Sequence, residues 1–334
     1  LIRVYLETEN ERGLFIVDTA AGHMLDKQSF SNLFPSLCAG KNVPAIGRIA
    51  LSSHSVPAMK IGEREIVLDP VELIDLSPRS RILGDEVCGI LGIPMVLDFG
   101  LGYDALGGYF HIGRASPRVY EYTFPLEVVD SVLHTEDVTT GVRRVSFLID
   151  TGMNTPLSVD SAIFDELESR GLLSRLNDSR VRTLSEVKGV RFGIISSVEI
   201  WGTPFRNVPA IESTKNAIGI NLLKKFDFFI NAKDGSIEIS RNSQTKTQFL
   251  WDRSGLGISC SGEKILVDAV KPNSPAERVA IEVGTTVCEV NGQVVEANWQ
   301  ELCRLRDLFS TPGPITISLL VEQNGLRQSI ELAW

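Results

Sequence analysis

Twice in this chain an apolar run ends on an aspartate followed by threonine and a small residue. The two stretches are Phe15-Ile16-Val17-Asp18-Thr19-Ala20 and Phe147-Leu148-Ile149-Asp150-Thr151-Gly152. A buried strand that delivers a carboxylate to a tight turn is a strong constraint, because an ionised carboxylate away from water must be paired or protonated. Two such turns can meet that requirement for each other. Brought together, like-charge repulsion raises one pKa, and the pair holds one shared proton at mildly acidic pH. Such a pair is both acid and base. A small third residue, Ala20 or Gly152, permits close approach of the turns, and the hydroxyls of Thr19 and Thr151 can lock them together.

The order of elements around the first turn recurs around the second. Residues 89–112 and 216–239 align without a gap at an offset of 127, matching Gly92 to Gly219, Phe99 to Phe226, Gly108 to Gly235 and Ile112 to Ile239. The aspartates lie 132 apart, and Asp26, Phe30 and Leu33 match Asp160, Phe164 and Leu167 at 134. The hairpin at Lys60-Ile61-Gly62 has a counterpart in Glu199-Ile200-Trp201-Gly202. Changing offsets with a conserved order place the length differences in loops, the pattern of an internal duplication. Each Asp also precedes an apolar-apolar-Gly element, whose glycine comes 74 positions after Asp18 and 69 after Asp150. Short strands separated by turn residues dominate both halves. The expected domains are 1–122, 123–243 and 250–334, in a mainly β fold.

The last block has a different character. Gly255-Leu256-Gly257-Ile258 leads into a strand and Ile265–Val270 forms a second. Ser274 is placed to cap a short helix with Pro275 in its first turn. Val290-Asn291-Gly292 and Asn324-Gly325 read as hairpin turns. Trp299–Phe309 has helical periodicity, with Leu302, Leu305 and Phe309 on one face.

Charge and cysteine content exclude other classes. The 334 residues carry a net charge of -9, and no Lys/Arg cluster points to a nucleic acid. The five cysteines (38, 88, 260, 288 and 303) have no zinc spacing, and an odd count completes no disulfide framework, so buried free thiols are expected. No run approaches the length of a membrane span. The chain starts at Leu1 in a strand-like run without a Met start or a signal peptide, the expectation for a trimmed or mature form. His23 follows Asp18 by five positions with no nucleophile placed to use it, and reads as a surface or subsite histidine.

The paired triplets resemble those of retropepsin-like (pepsin/retropepsin clan) aspartic proteases, with Asp18 and Asp150 as the catalytic pair and Thr19, Ala20, Thr151 and Gly152 supporting them. Ile90-Leu91-Gly92 and Ala217-Ile218-Gly219 resemble the element that crosses behind the triplets in that fold. The resemblance covers about 240 residues, as two lobes in one chain. It implies a cleft between lobes, a water held between the carboxylates, a peptide or protein substrate, and a site complete within a monomer without metal or cofactor. Flaps are expected near 39–53 and 185–195. The last block resembles a circularly permuted PDZ domain, a partly open β-barrel with two helices. Gly255, Leu256, Gly257 and Ile258 are its expected peptide-binding loop, where backbone amides form an anion nest for a free C-terminus. A periplasmic or otherwise exported location is the expectation from bacterial protease–PDZ chains.

The sequence departs from the protease pattern in places. Ala20 stands where Gly is commoner, Met153 where Ala, Ser or Thr is usual, and neither flap region holds a tyrosine. Two functions therefore stand side by side. One is an aspartic endopeptidase; the other is a catalytically degenerate scaffold that holds peptides without cutting them.

Overall fold

A computed structural model describes residues 2–7, 12–26, 29, 49–51, 59–68, 71–114, 118–176, 179–182, 187–246 and 248–334. The architecture is mainly β, built from several sheets. The chain divides into two compact units. The first holds Leu1–Leu76, Val87–Ser174 and Ile194–Gln248; the second holds Ser77–Glu86, Arg175–Gly193 and Phe249–Trp334.

In the first unit an eight-stranded sheet carries Asp18. Its centre is the strand Arg12–Val17, paired antiparallel to Ile2–Glu7 and parallel to Gly89–Leu91. Gly89–Leu91 in turn runs antiparallel to His23–Asp26, which pairs parallel with Val71–Ile74. A nine-stranded sheet carries Asp150 and repeats this arrangement. Phe147–Asp150 pairs parallel with Ala217–Gly219, which runs antiparallel to Leu157–Asp160, itself parallel to Thr203–Ser213. Central strands paired on both edges read as unbroken apolar runs. Accordingly Phe15, Ile16 and Val17, and likewise Phe147, Leu148 and Ile149, are buried. Each buried Phe contributes about 1.5–3 kcal/mol. The matched aspartates behave alike as well. Asp160 caps the helix Ser161–Ser169 by accepting from Ile163 N (2.9 Å), while Asp26 accepts from Ser29 N (3.0 Å) and Leu76 N (2.8 Å).

A third sheet of five strands mixes the two halves of the sequence, in the order Tyr109–Ile112, Leu101–Asp104, Phe226–Asn231, Ser236–Arg241 and Tyr122–Pro125. Arg118 ties it together by donating to Asp104 (2.5 Å) and Asp227 (2.6 Å).

The second unit contains the sheet Leu256–Ser261, Lys264–Val270, Thr286–Val290, Thr316–Gln323 and Leu326–Ala333, with Leu256–Ser261 at one edge. Its turns follow the local sequence. Asn291-Gly292 and Asn324-Gly325 adopt positive φ at both positions, the conformation that closes a two-residue hairpin. Ser274 caps the helix Pro275–Arg278, with Pro in the first turn. The helix Trp299–Phe309 buries Leu302, Leu305 and Phe309 in the core. A two-stranded hairpin, Ser179–Arg182 with Val187–Val190, also belongs to this unit.

Candidate active site

Asp18 and Asp150 occupy the same place in two matching frameworks. The N–H of Asp18 donates to Leu91 O (3.0 Å) as the chain leaves its strand. Behind each turn the crossing element comes too close for any side chain. A Cβ on Gly92 would lie 2.2 Å from Ala21 O, and one on Gly219 would lie 2.0 Å from Thr155 O. The next amides bind the turns, Ile93 N donating to Ala21 O and Ile220 N to Met153 O, both at 2.9 Å. Both glycines are therefore fixed by close approach.

The threonines join the two turns reciprocally. Thr19 N donates to Thr151 Oγ1 and Thr151 N donates to Thr19 Oγ1, both at 3.1 Å. The Thr19 hydroxyl donates to Ile149 O (2.6 Å) and the Thr151 hydroxyl donates to Val17 O (3.0 Å). Both threonines are 0% exposed. Each hydroxyl thus donates to the opposite strand and accepts from the opposite turn, and four buried hydrogen bonds hold residues 17–19 against 149–151. Asp18, 8% exposed, accepts from Ala20 N (3.0 Å) through Oδ1. Its carboxylate lies directly on Gly152, where a Cβ would fall 2.2 Å from Oδ2. Asp150, Ala20 and Gly152 are half-buried. All six residues expected at the site are in one cluster. Met153 turns its end back over Gly219, so that a Cβ there would lie 3.0 Å from Met153 Cε.

Thr19→Val keeps the shape and removes both hydroxyl contacts, leaving Ile149 O and Thr151 N without that partner. The expected cost is about 2–4 kcal/mol, since each orphaned buried group costs roughly 1–3 kcal/mol. Thr19→Ser should retain most of the stability. Denaturant unfolding of the two variants checks this, and equal stability would mean the hydroxyl bridge is dispensable.

No protein-family model matches the chain, and no curated protein matches it. Among solved structures it is similar in part to a retropepsin-like aspartic protease from Rickettsia conorii, at 16% identity and a TM-score of 0.28, over 35% of this chain and 88% of that one. It is similar also to a photosystem II D1 C-terminal processing protease, at 17% identity and a TM-score of 0.24, over 33% of this chain and 28% of that one. An HtrA-type protease with a decapeptide matches at 12% identity and a TM-score of 0.26, over 48% of this chain and 57% of that one. The last two matches span less than two thirds of those chains. All three proteins are proteases, and likenesses this partial assign no catalytic type.

Several other residues fall differently from expectation. His23 is not on the surface: it is 2% exposed within a central strand, and its Nδ1 accepts from Gly92 N (3.1 Å). Burial lowers its pKa to about 4, against a smaller opposing effect of Asp98. Its position beside the essential glycine is set by tertiary contact, which the spacing from Asp18 could not reveal. Because the unfolded chain binds a proton near pH 6.5 and the folded one does not until about pH 4, stability falls as pH falls through that window. The loss should reach about 3 kcal/mol. His23→Asn, which can still accept from Gly92 N, should lack this slope. Unfolding measured at pH 7 and pH 4 decides the point; parallel profiles would refute it.

Among the described cysteines, Cys260 is buried, whereas Cys88, Cys288 and Cys303 are partly exposed. Cys38 and nearly all of the first expected flap lie outside the described residues. The second flap region begins between the paired strands Ser179–Arg182 and Val187–Val190, and residues 183–186 also lie outside the described residues. Among the described residues no helix is long and apolar enough to cross a membrane.

In the second unit, Gly255 precedes the edge strand with φ +81°, and Leu256, Gly257 and Ile258 begin that strand. The turn before it is organised by Asp252, which sequence reasoning passed over. Its carboxylate accepts from Ser254 N (3.0 Å), Ser254 Oγ (2.6 Å) and Gly255 N (3.2 Å), and pairs with Lys271 (2.8 Å). Leu256 N donates to Ser254 Oγ (3.0 Å). The local signal was present, since Asp two residues before Ser and three before Gly is the pattern of an Asx turn.

Proposed function

We propose that this chain is a single-chain aspartic endopeptidase of the retropepsin-like kind, with two duplicated lobes and Asp18 and Asp150 as its catalytic pair. The observation that carries the proposal is the reciprocal threonine bridge, which fixes two Asp-bearing turns against one another with the Asp18 carboxylate on Gly152. Two carboxylates at close quarters hold one proton between them, the tuning known for aspartic proteases. The ionised member takes a proton from water as the water oxygen bonds to the scissile carbonyl carbon. The protonated member gives its proton to the carbonyl oxygen. Collapse of the tetrahedral species then breaks the C–N bond, and a proton passes from the dyad to the departing amine.

The C-terminal block reads as a PDZ-like module that captures peptides or C-termini, and the setting as periplasmic or otherwise exported. The test is cleavage of unstructured peptides across pH. A bell-shaped profile is expected, because the fully protonated and the fully ionised pair are both incompetent. Specific activity should hold on dilution, since both aspartates are on one chain. A wild-type protein that binds peptides tightly but cleaves none at any pH would leave the degenerate scaffold, the reading that Ala20 and Met153 favour.

A further inference from the structure

The edge strand Leu256–Ser261 and the helix Trp299–Phe309 are where an added peptide would pair on the PDZ-like reading. In this structure a segment of the chain's own sequence packs there. The helix Ser77–Leu83 lies against the edge strand. Arg306, from the long helix, bridges the two by donating to Ile82 O (2.8 Å) and Ile258 O (3.2 Å). Just beyond, Gly84 adopts φ +65° and approaches so closely that a Cβ would meet Asn298 C and Cys260 Sγ at 2.9 Å and Trp299 N at 3.0 Å. Leu83 is 1% exposed. At the other end of the strand, the Asp252 carboxylate already accepts from the Gly255 amide that a ligand's C-terminus would seek. Burial lowers the pKa of Arg306 below its ordinary value, consistent with a guanidinium committed to backbone carbonyls.

We infer that the peptide groove of the second unit is filled from within by residues 77–86, so that this segment and an incoming C-terminal peptide exclude one another. The inference rests on the PDZ-like reading of residues 250–334. Residues 77–86 leave the first unit after Leu76 and return to it at Val87, two residues before the strand Gly89–Leu91 whose Leu91 O accepts from Asp18 N. The resident segment is therefore tethered at both ends. Tethering gives an effective concentration of about millimolar, which an incoming peptide must overcome.

The test uses the full chain with residues 77–86 replaced by a Gly/Ser sequence of equal length. The probe is a fluorescein-labelled synthetic peptide of sequence 77–86, read by anisotropy. The linker variant should bind it at least tenfold more tightly than the wild type does. The same peptide with Gly84→Val should not bind, because its added atoms meet backbone. Peptides ending in a free aliphatic residue should compete, and their amidated forms should not. Should the linker variant not fold, Gly84→Val in the full chain serves instead. It should expose the 77–86 amides to rapid hydrogen exchange and raise affinity for C-terminal peptides at least tenfold. Equal binding of C-terminal peptides to wild type and variant would overturn the inference while sparing the PDZ-like reading. Binding of the 77–86 peptide with no competition from any C-terminal peptide would uphold the resident segment and remove the PDZ-like reading. A folded linker variant that ignores the 77–86 peptide overturns the inference outright.

Discussion

Asp18→Asn and Asp150→Asn are each expected to lower kcat/KM for peptide cleavage by at least about a thousandfold, with the double variant no worse than either single one. Non-additivity follows from the chemistry. One proton is shared, so removing either carboxylate removes both the base and its matching acid. Asn fits the space of Asp, and at position 18 its Oδ1 can still accept from Ala20 N. The threonine bridge involves neither aspartate side chain, so both variants should remain folded, and an unchanged unfolding midpoint confirms that activity alone was lost. Cleavage retained by either variant would sink the two-carboxylate mechanism.

Gly152→Ala should cost about a hundredfold in kcat with little change in KM. The backbone at Gly152 is not in the left-handed region, so alanine is tolerated by the chain itself. The conflict is with the Asp18 carboxylate, whose Oδ2, Cγ and Oδ1 would lie 2.2, 2.4 and 2.8 Å from the new Cβ. Either the carboxylate turns aside or the turns separate, and displacement of about 1 Å is enough for a loss of that size. Ala20 already has a methyl group at the matching position, so Ala20→Gly should change activity by only a few-fold. The pair of variants separates a carboxylate held against one turn from one held equally by both. Full activity in Gly152→Ala would mean that Asp18 reacts from some other position.

Much of the candidate site could be read from sequence, for identifiable reasons. Phe15–Val17 and Phe147–Ile149 are apolar without interruption because both edges of each strand are paired. The small residue after each threonine and the glycine of each crossing element mark places where backbones meet. Hairpin turns at Asn291-Gly292 and Asn324-Gly325 and the Leu302/Leu305/Phe309 face are local patterns, and the structure forms them. What stayed hidden depends on distant contacts. Ile82 meets Arg306 across 224 positions, and nothing in Ser77–Glu86 distinguishes it from a surface helix and turn. His23 is one hydrogen bond from Gly92, 69 positions away, so its neutral, buried state has no local signature.

The interleaving of the two units sets an order on synthesis. Phe249 is made 163 residues after Glu86, an interval of roughly 8–30 s at the usual rates of elongation. Through that time Ile82 and Leu83 have been made while their partners in the edge strand and long helix have not. Arg79, Arg81, Asp85 and Glu86 flank them, charges of the kind that keep an exposed apolar pair from associating with other chains. A nascent chain stopped at Gln248 would contain the whole of the first unit, yet 77–86 and 175–193 would remain stranded. Fragments cut at that junction should aggregate more readily than the full chain.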